Sequence, residues 1–310
     1  MNFLITGGAG FLGAALSNRL LRQGHHVRVL DDLSTGNPEA LDTEIHFTRG
    51  DINDRPKLWT LLQDIDCVYH LAARVSVPES ILFPRDYNVV NVGGTATLME
   101  AVRDAGAPRV VLASSGAVYG DQSKSLLSED MQPHPHSPYA VSKLASEWYV
   151  RTIGELSGIE TLCLRIFNAY GPGQRIPASH PPIIPSFIRQ SMQNGTVIFH
   201  GDGNQTRDYV YVDDVVNALV SASTIQEIDQ PVINIGSGTE TSVRDLTQMV
   251  IDITGGKPEE VYNPRVGGGV SRMKADITLA KDKLGYVPLI SLEKGLRLTL
   301  ERDPQFRNGA

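Results

Sequence analysis

Cysteine is scarce: Cys67 and Cys163 are the only two in 310 residues. A disulfide framework of the kind that staples small secreted folds is therefore excluded. Both cysteines fall in apolar stretches expected to be buried strands, where a thiol packs as a small core residue, and both suit a reducing, cytoplasmic setting. No set of Cys, His and carboxylates has metal-ligand spacing, so no metal site is expected. No apolar run approaches membrane-span length. Basic residues do not cluster either. The 28 Lys and Arg are mixed among 35 acids for a net charge of -7, without the stripe that a nucleic-acid binder carries. Internal repeats and low-complexity tracts are absent. The chain opens directly into its first expected strand, so no signal peptide is expected.

What is present is 41% hydrophobic residue, enough for one large core or two modest ones. Strand and helix signals alternate through the first half. Strands are expected at 2–6, 26–31, 45–50, 67–72, 109–114 and 161–166, with helical patterns between, notably 95–104. Such alternation means a Rossmann-type, doubly wound parallel sheet covered on both faces, an α/β fold. After about Gly171 the texture turns rich in Pro, Gly and polar residues. We expect residues 1–170 to form a cofactor-binding domain and residues 171–310 a smaller, loop-rich α/β substrate lobe. Segments 209–222 and 232–236, within a returning stretch near 207–237, are expected to rejoin the main sheet.

The first expected strand runs straight into Gly7-Gly8-Ala9-Gly10-Phe11-Leu12-Gly13 and then into a helix. Glycines at such a turn let the backbone approach a pyrophosphate, which rests on the helix N-terminus. The next strand ends at Asp31, about 20 residues on, where a carboxylate holds the adenosine ribose hydroxyls. A carboxylate there repels a 2′-phosphate, so NAD is expected over NADP.

Tyr139 and Lys143 lie four apart in Ser-Pro-Tyr-Ala-Val-Ser-Lys, at the start of a helical pattern over 139–153. With Glu147 they share one face, and Val141, Leu144, Ala145 and Trp148 are expected to pack around them. An ammonium near a phenol favours the phenolate, which is a usable base at neutral pH.

Together these motifs resemble the extended short-chain dehydrogenase/reductases, and within them the nucleotide-sugar 4-epimerases related to UDP-glucose 4-epimerase, over nearly the whole chain. The resemblance implies cofactor contacts from Gly7, Gly10, Phe11, Leu12, Gly13 and Asp31. It adds Asp51 and Ile52 at the adenine, Leu71, Ala72 and Ala73 after His70, and Asn91, Tyr139 and Lys143. It places the catalytic hydroxyl on Ser115, in Ala-Ser-Ser-Gly-Ala-Val-Tyr-Gly, completing a triad with Tyr139 and Lys143. For the substrate diphosphate it implies Asn168 and Arg207. Arg265 is a further arginine for the same diphosphate, since charged forks are the expected partners of phosphate.

Departures from the family pattern narrow the chemistry. Members that eliminate water or carbon dioxide carry acids just after the catalytic hydroxyl, where this chain has Gly116 and Ala117. These small residues are also expected to leave room for a turning sugar. The acid that the family places after its counterpart of Arg265 is missing, with Gly268 and Gly269 in the run, so contacts to the substrate ribose must weaken or come from elsewhere. Met273 becomes the residue expected to gate the sugar. The expected activity is NAD-dependent 4-epimerisation of a UDP-sugar, UDP-glucose and UDP-galactose by default. The alternatives are a UDP-glucuronate 4-epimerase, with Arg175, Arg74 or Ser76 at the sugar carboxylate, and a non-catalytic NAD-binding scaffold. The resemblance also implies a homodimer through helices 95–104 and 139–153. Neither nucleic acid nor membrane is an expected partner.

Overall fold

The computed structural model describes residues 1–225, 231–263 and 270–307. Seven strands form one parallel sheet: β1 (Asn2–Thr6), β2 (His26–Asp31), β3 (His46–Arg49), β4 (Cys67–His70), β5 (Arg109–Ser115), β6 (Glu160–Ile166) and β7 (Val232–Ile235). Their spatial order is β3-β2-β1-β4-β5-β6-β7. The order reverses between β1 and β4, so a crevice opens there beyond the strand C-termini, where sheets of this kind bind ligands.

Both faces of the sheet are buried. Along β1, Phe3 and Ile5 join one core cluster and Leu4 joins the other, as the two-residue period of a strand requires. Helices α1 (Phe11–Arg22) and α4 (Val212–Thr224) pack together, while α2 (Gly94–Ala105) packs against α3 (Pro138–Ser157). Helix α3 begins under Ser137, whose hydroxyl accepts from Ala140 N at 3.1 Å, with Pro138 in the first turn; it ends at Gly158, φ +66°.

Of the two segments expected back in the main sheet, only one enters it. Val232–Ile235 pairs with β6. Tyr209–Tyr211 instead pairs with Asn168–Tyr170 in a separate two-stranded parallel ribbon and then leads into α4. The lobe beyond Gly171 is also more regular than its composition suggests, with helices Ile183–Met192, Val243–Thr254 and Leu292–Arg302 and a parallel pair, Thr196–His200 with Glu259–Asn263.

Candidate active site

The β1–α1 turn forms a tight cradle. Gly7 sits at φ +70°, and a Cβ there would lie 2.6 Å from the Ala72 nitrogen on the neighbouring segment. A Cβ on Gly13 would lie 2.2 Å from the Gly7 carbonyl. No side chain caps α1, so the first-turn N–H groups at Phe11 and Leu12 stay open to an anion. The carboxylate of Asp31 accepts from Ala9 N at 3.0 Å and Leu33 N at 2.9 Å. Burial pushes its carboxyl up, and the two N–H groups oppose this. Lone pairs remain for ribose hydroxyls.

The other expected cofactor residues divide. Asp51 is exposed and its Oδ1 accepts from Asn53 N at 2.8 Å. Ile52 is buried against Gly94, where a Cβ would meet it at 2.5 Å, so its side chain acts in packing. Leu71 N donates to Thr6 O, and Ala72 and Ala73 follow along the crevice wall. His70 beneath them is held between Thr6 Oγ1 at 2.8 Å and Thr95 Oγ1 at 2.9 Å. Burial and nearby Lys143 depress it to about 3, so the ring is neutral. Asn91 lies in a π-helical stretch, Asn88–Gly93, whose wider turn brings its side chain inward. Its amide accepts from Arg74 N at 2.8 Å and donates to Arg74 O and Ser142 Oγ. It therefore ties the crevice wall to α3.

Ser115, Tyr139 and Lys143 converge at the end of β5. Ser115 Oγ accepts from Ala117 N at 3.1 Å and lies on the phenol side of Tyr139. The Tyr139 ring meets the edge of Tyr87, with centroids 6.4 Å apart at 87°. Lys143 Nζ donates to Ala113 O at 2.8 Å. Sequence reasoning expected Lys143 to lower the phenol. In the chain itself burial is the largest influence and raises Tyr139, with the Ser115 hydroxyl acting against it. Lys143 itself is brought down by burial to about 8. A second expectation holds only in part on the same helix. Leu144 packs against the core, but Val141 and Trp148 are exposed, and the buried face carries the polar Ser142, Lys143, Ser146 and Glu147.

On the substrate side, Asn168 and Arg207 are brought together, because Asn168 N donates to Asp208 O at 3.0 Å. Arg207 is half-buried, and donates to Thr206 O and to Val270 O at 2.7 Å. Arg265 lies outside the described residues. Gly116 does not leave room beside its Cα: a Cβ there would meet the Phe167 ring at 3.2 Å. Its smallness serves that packing. Met273 is buried in the main core cluster. Arg175 donates to Thr35 O at 2.9 Å, Arg74 pairs with Glu79 at 3.5 Å, and Ser76 caps the helix Val77–Leu82.

Asp208 was missed by sequence reasoning. It is fully buried and accepts from Ser237 N, Ser237 Oγ, Gly238 N and Ala275 N. A carboxylate directly after a candidate binding arginine was the available signal.

The sheet order, glycine cradle, ribose-side Asp31 and Ser-Tyr-Lys cluster define a Rossmann-type short-chain dehydrogenase/reductase. Comparison with known proteins narrows this. Residues 3–236 match the model of the NAD dependent epimerase/dehydratase family, and the chain belongs to that family. It is 38% identical over 309 residues to a UDP-glucose 4-epimerase of Mycolicibacterium smegmatis, covering 97% of this chain and 98% of that one. A crystal structure of the Thermotoga maritima UDP-glucose 4-epimerase with UDP-glucose matches with TM-score 0.93 and 37% identity, covering 97% and 98% of the two chains. The Thermus thermophilus UDP-glucose 4-epimerase in complex with NAD matches with TM-score 0.92 and 31% identity over 100% of both.

Proposed function

We propose that this chain is an NAD-dependent nucleotide-sugar 4-epimerase that interconverts UDP-glucose and UDP-galactose. The observation that carries the reading is the convergence of Ser115, Tyr139 and the buried Lys143 at the C-terminal end of β5. The segment 113–120 around it contains no acid. Tyr139, as phenolate, takes the proton of the sugar 4-hydroxyl while Ser115 donates to the same oxygen. NAD, when bound, supplies the hydride acceptor and a positive charge that favours the phenolate. With the C4 hydride exchanged in this way, Asn168 and Arg207 would anchor the diphosphate while the 4-ketosugar turned, and Tyr139 would hold the hydroxyl proton and give it back to the same oxygen. Elimination would need a carboxyl group beside the catalytic hydroxyl, and Gly116 and Ala117 provide none.

We assign cofactor binding to residues 1–170 with the returning β7, and substrate binding to residues 171–310. Asn168 and Arg207 are assigned to the diphosphate, and Arg265 joins them by its charge. The glucuronate alternative loses support, because Arg175, Arg74 and Ser76 are each engaged by protein groups. A silent scaffold would have no use for the buried Lys143 or for the Tyr139 hydroxyl.

The exposed apolar strip on α3, with Trp148 58% and Val141 53% exposed, fits a surface that a second copy covers. Among the described residues no helix is long and apolar enough to cross a membrane. The cytoplasm is the assigned compartment, in keeping with two buried free thiols. The test is incubation of purified protein with UDP-galactose and no added cofactor. UDP-glucose should form; no conversion by protein shown to contain NAD would overturn the reading.

A further inference from the structure

Two consecutive residues of β5 are tied to two residues one turn apart on α3. The Ala113 carbonyl accepts from Lys143 at 2.8 Å, and Ser114 Oγ donates to Glu147 Oε1 at 2.5 Å. Glu147 is only 2% exposed. Arg165, from β6, grips the same carboxylate with two bonds, Nε to Oε1 at 3.0 Å and Nη2 to Oε2 at 2.8 Å. The guanidinium lies over the Tyr119 ring at 4.7 Å. Its remaining nitrogen, Nη1, is buried with no hydrogen-bond partner.

A buried carboxylate of this kind is more than a helix anchor. Lys143 is itself almost fully buried. The groups around it are neutral His70 from β4, the Ala113 carbonyl from β5, Tyr139 and Glu147 on its own helix, and Arg165 beyond Glu147. Of these, Glu147 brings the negative charge. We propose that Glu147 is a positioning residue for the reaction: its carboxylate, gripped by Arg165 and Ser114, sets the register of α3 on β5 and keeps Lys143 an ammonium.

Burial lowers the Lys143 pKa and Glu147 opposes that fall, so removing the carboxylate lowers it further. Well above the original midpoint, a pKa lower by one leaves about a tenth of the ammonium. Moving the carboxylate without removing its charge should instead loosen the register and leave the Lys143 charge in place.

The inference rests on the epimerase reading for its kinetic arm only. Two variants separate the parts. Glu147→Gln with Arg165→Met removes both charges, so no unpaired cation is left buried; Glu147→Asp keeps the charge and shortens the side chain. Lys143 ionisation is read from lysine ε-carbon resonances in isotope-labelled protein, its signal assigned by absence in Lys143→Met. The double variant should lower the Lys143 midpoint, the carboxylate one turn away on the same helix outweighing the guanidinium beyond it. It should also move the alkaline limb of kcat down by the same amount, with KM for UDP-galactose within about twofold. Glu147→Asp should leave the midpoint in place and lower kcat about tenfold, bound NAD being retained. An unchanged Lys143 midpoint in the folded double variant would overturn the electrostatic role. Parental kcat in Glu147→Asp would overturn the register role. A parent enzyme inert on UDP-galactose, with the midpoint still lowered in the double variant, would sink the epimerase reading and leave this inference standing.

Discussion

Lys143 donates its ammonium to the carbonyl oxygen of Ala113 at 2.8 Å, two residues before the catalytic serine on the same strand. The bond requires the protonated amine if the site is to keep both its geometry and its positive charge. Burial places the Lys143 value near 8, well under its ordinary 10.5. Turnover should therefore hold through neutral pH and fall as pH rises through about 8, where the ammonium is lost. Stability moves the other way. Between 8 and 10.5 the unfolded chain holds a proton that the folded chain has released, so this residue's contribution rises with pH there. A kcat profile measured alongside unfolding over that range checks both signs.

Tyr139→Phe should keep the fold, because the ring still meets Tyr87 edge-on and only the hydroxyl is lost. Turnover should drop by a factor of about 100 or more, the usual contribution of a positioned base. Nucleotide released on denaturation should match the parent in amount and should be NAD. Near-normal turnover at full cofactor content would remove Tyr139 from the role of base.

Much of this was legible in the sequence, and the exceptions share a cause. The six strands of the first half fall within two residues of the expected bounds, because most are short runs rich in buried apolar residues. The catalytic helix was legible in extent but not in orientation. Periodicity shows that α3 has an apolar stripe of Val141 and Trp148 and a polar stripe of Lys143 and Glu147. It does not show that Ala113, Ser114 and Arg165 satisfy the polar stripe, which is what allows that face to turn inward. The Tyr139 value misleads for the same reason: helix spacing puts an ammonium one turn away, and only the structure shows burial outweighing it. Tyr209–Tyr211 reads as a strand and is one, but its partner is the ribbon beside Asn168. Pairing is a tertiary choice that a single strand pattern does not encode.

His70 carries an acid liability. Its folded value is about 3 against an ordinary 6.5, since a charged ring between Thr6 and Thr95 would be buried beside Lys143. Between those values the unfolded chain binds the extra proton, so stability is fully present above 6.5 and is lost as pH falls toward 3. The full loss from this ring is roughly 5 kcal/mol. His70→Asn should be less stable near neutrality, with a flatter fall of unfolding free energy between pH 6.5 and 3. Parallel curves for parent and variant would assign the acid response to other groups.

Asp208→Asn should damage both stability and substrate binding. The carboxylate receives three backbone N–H groups and one hydroxyl from segments 237–238 and 275. An amide in its place turns an NH2 toward those donors. The expected cost is about 2–4 kcal/mol in denaturant unfolding. Because Arg207 is the preceding residue, KM for the UDP-sugar should rise more than kcat falls. A loss confined to kcat would place the anchor of Arg207 elsewhere.

The product class follows from what surrounds the Ser115 hydroxyl. Its own loop continues as Gly116-Ala117-Val118, whose side chains hold no proton to give. Glu147, the buried carboxylate on the facing helix, is occupied by Arg165 and Ser114 and cannot serve as an acid for elimination without breaking that pair. The oxidised sugar therefore has one outlet, return of the hydride that left. With UDP-glucose deuterated at C4, the label should appear at C4 of UDP-galactose undiluted by solvent hydrogen, whatever the buffer. Solvent hydrogen at that carbon would reject the retained hydride. A 4-keto-6-deoxy sugar, or carbon dioxide released from UDP-glucuronate, would mean that an acid outside the 113–120 segment reaches the sugar.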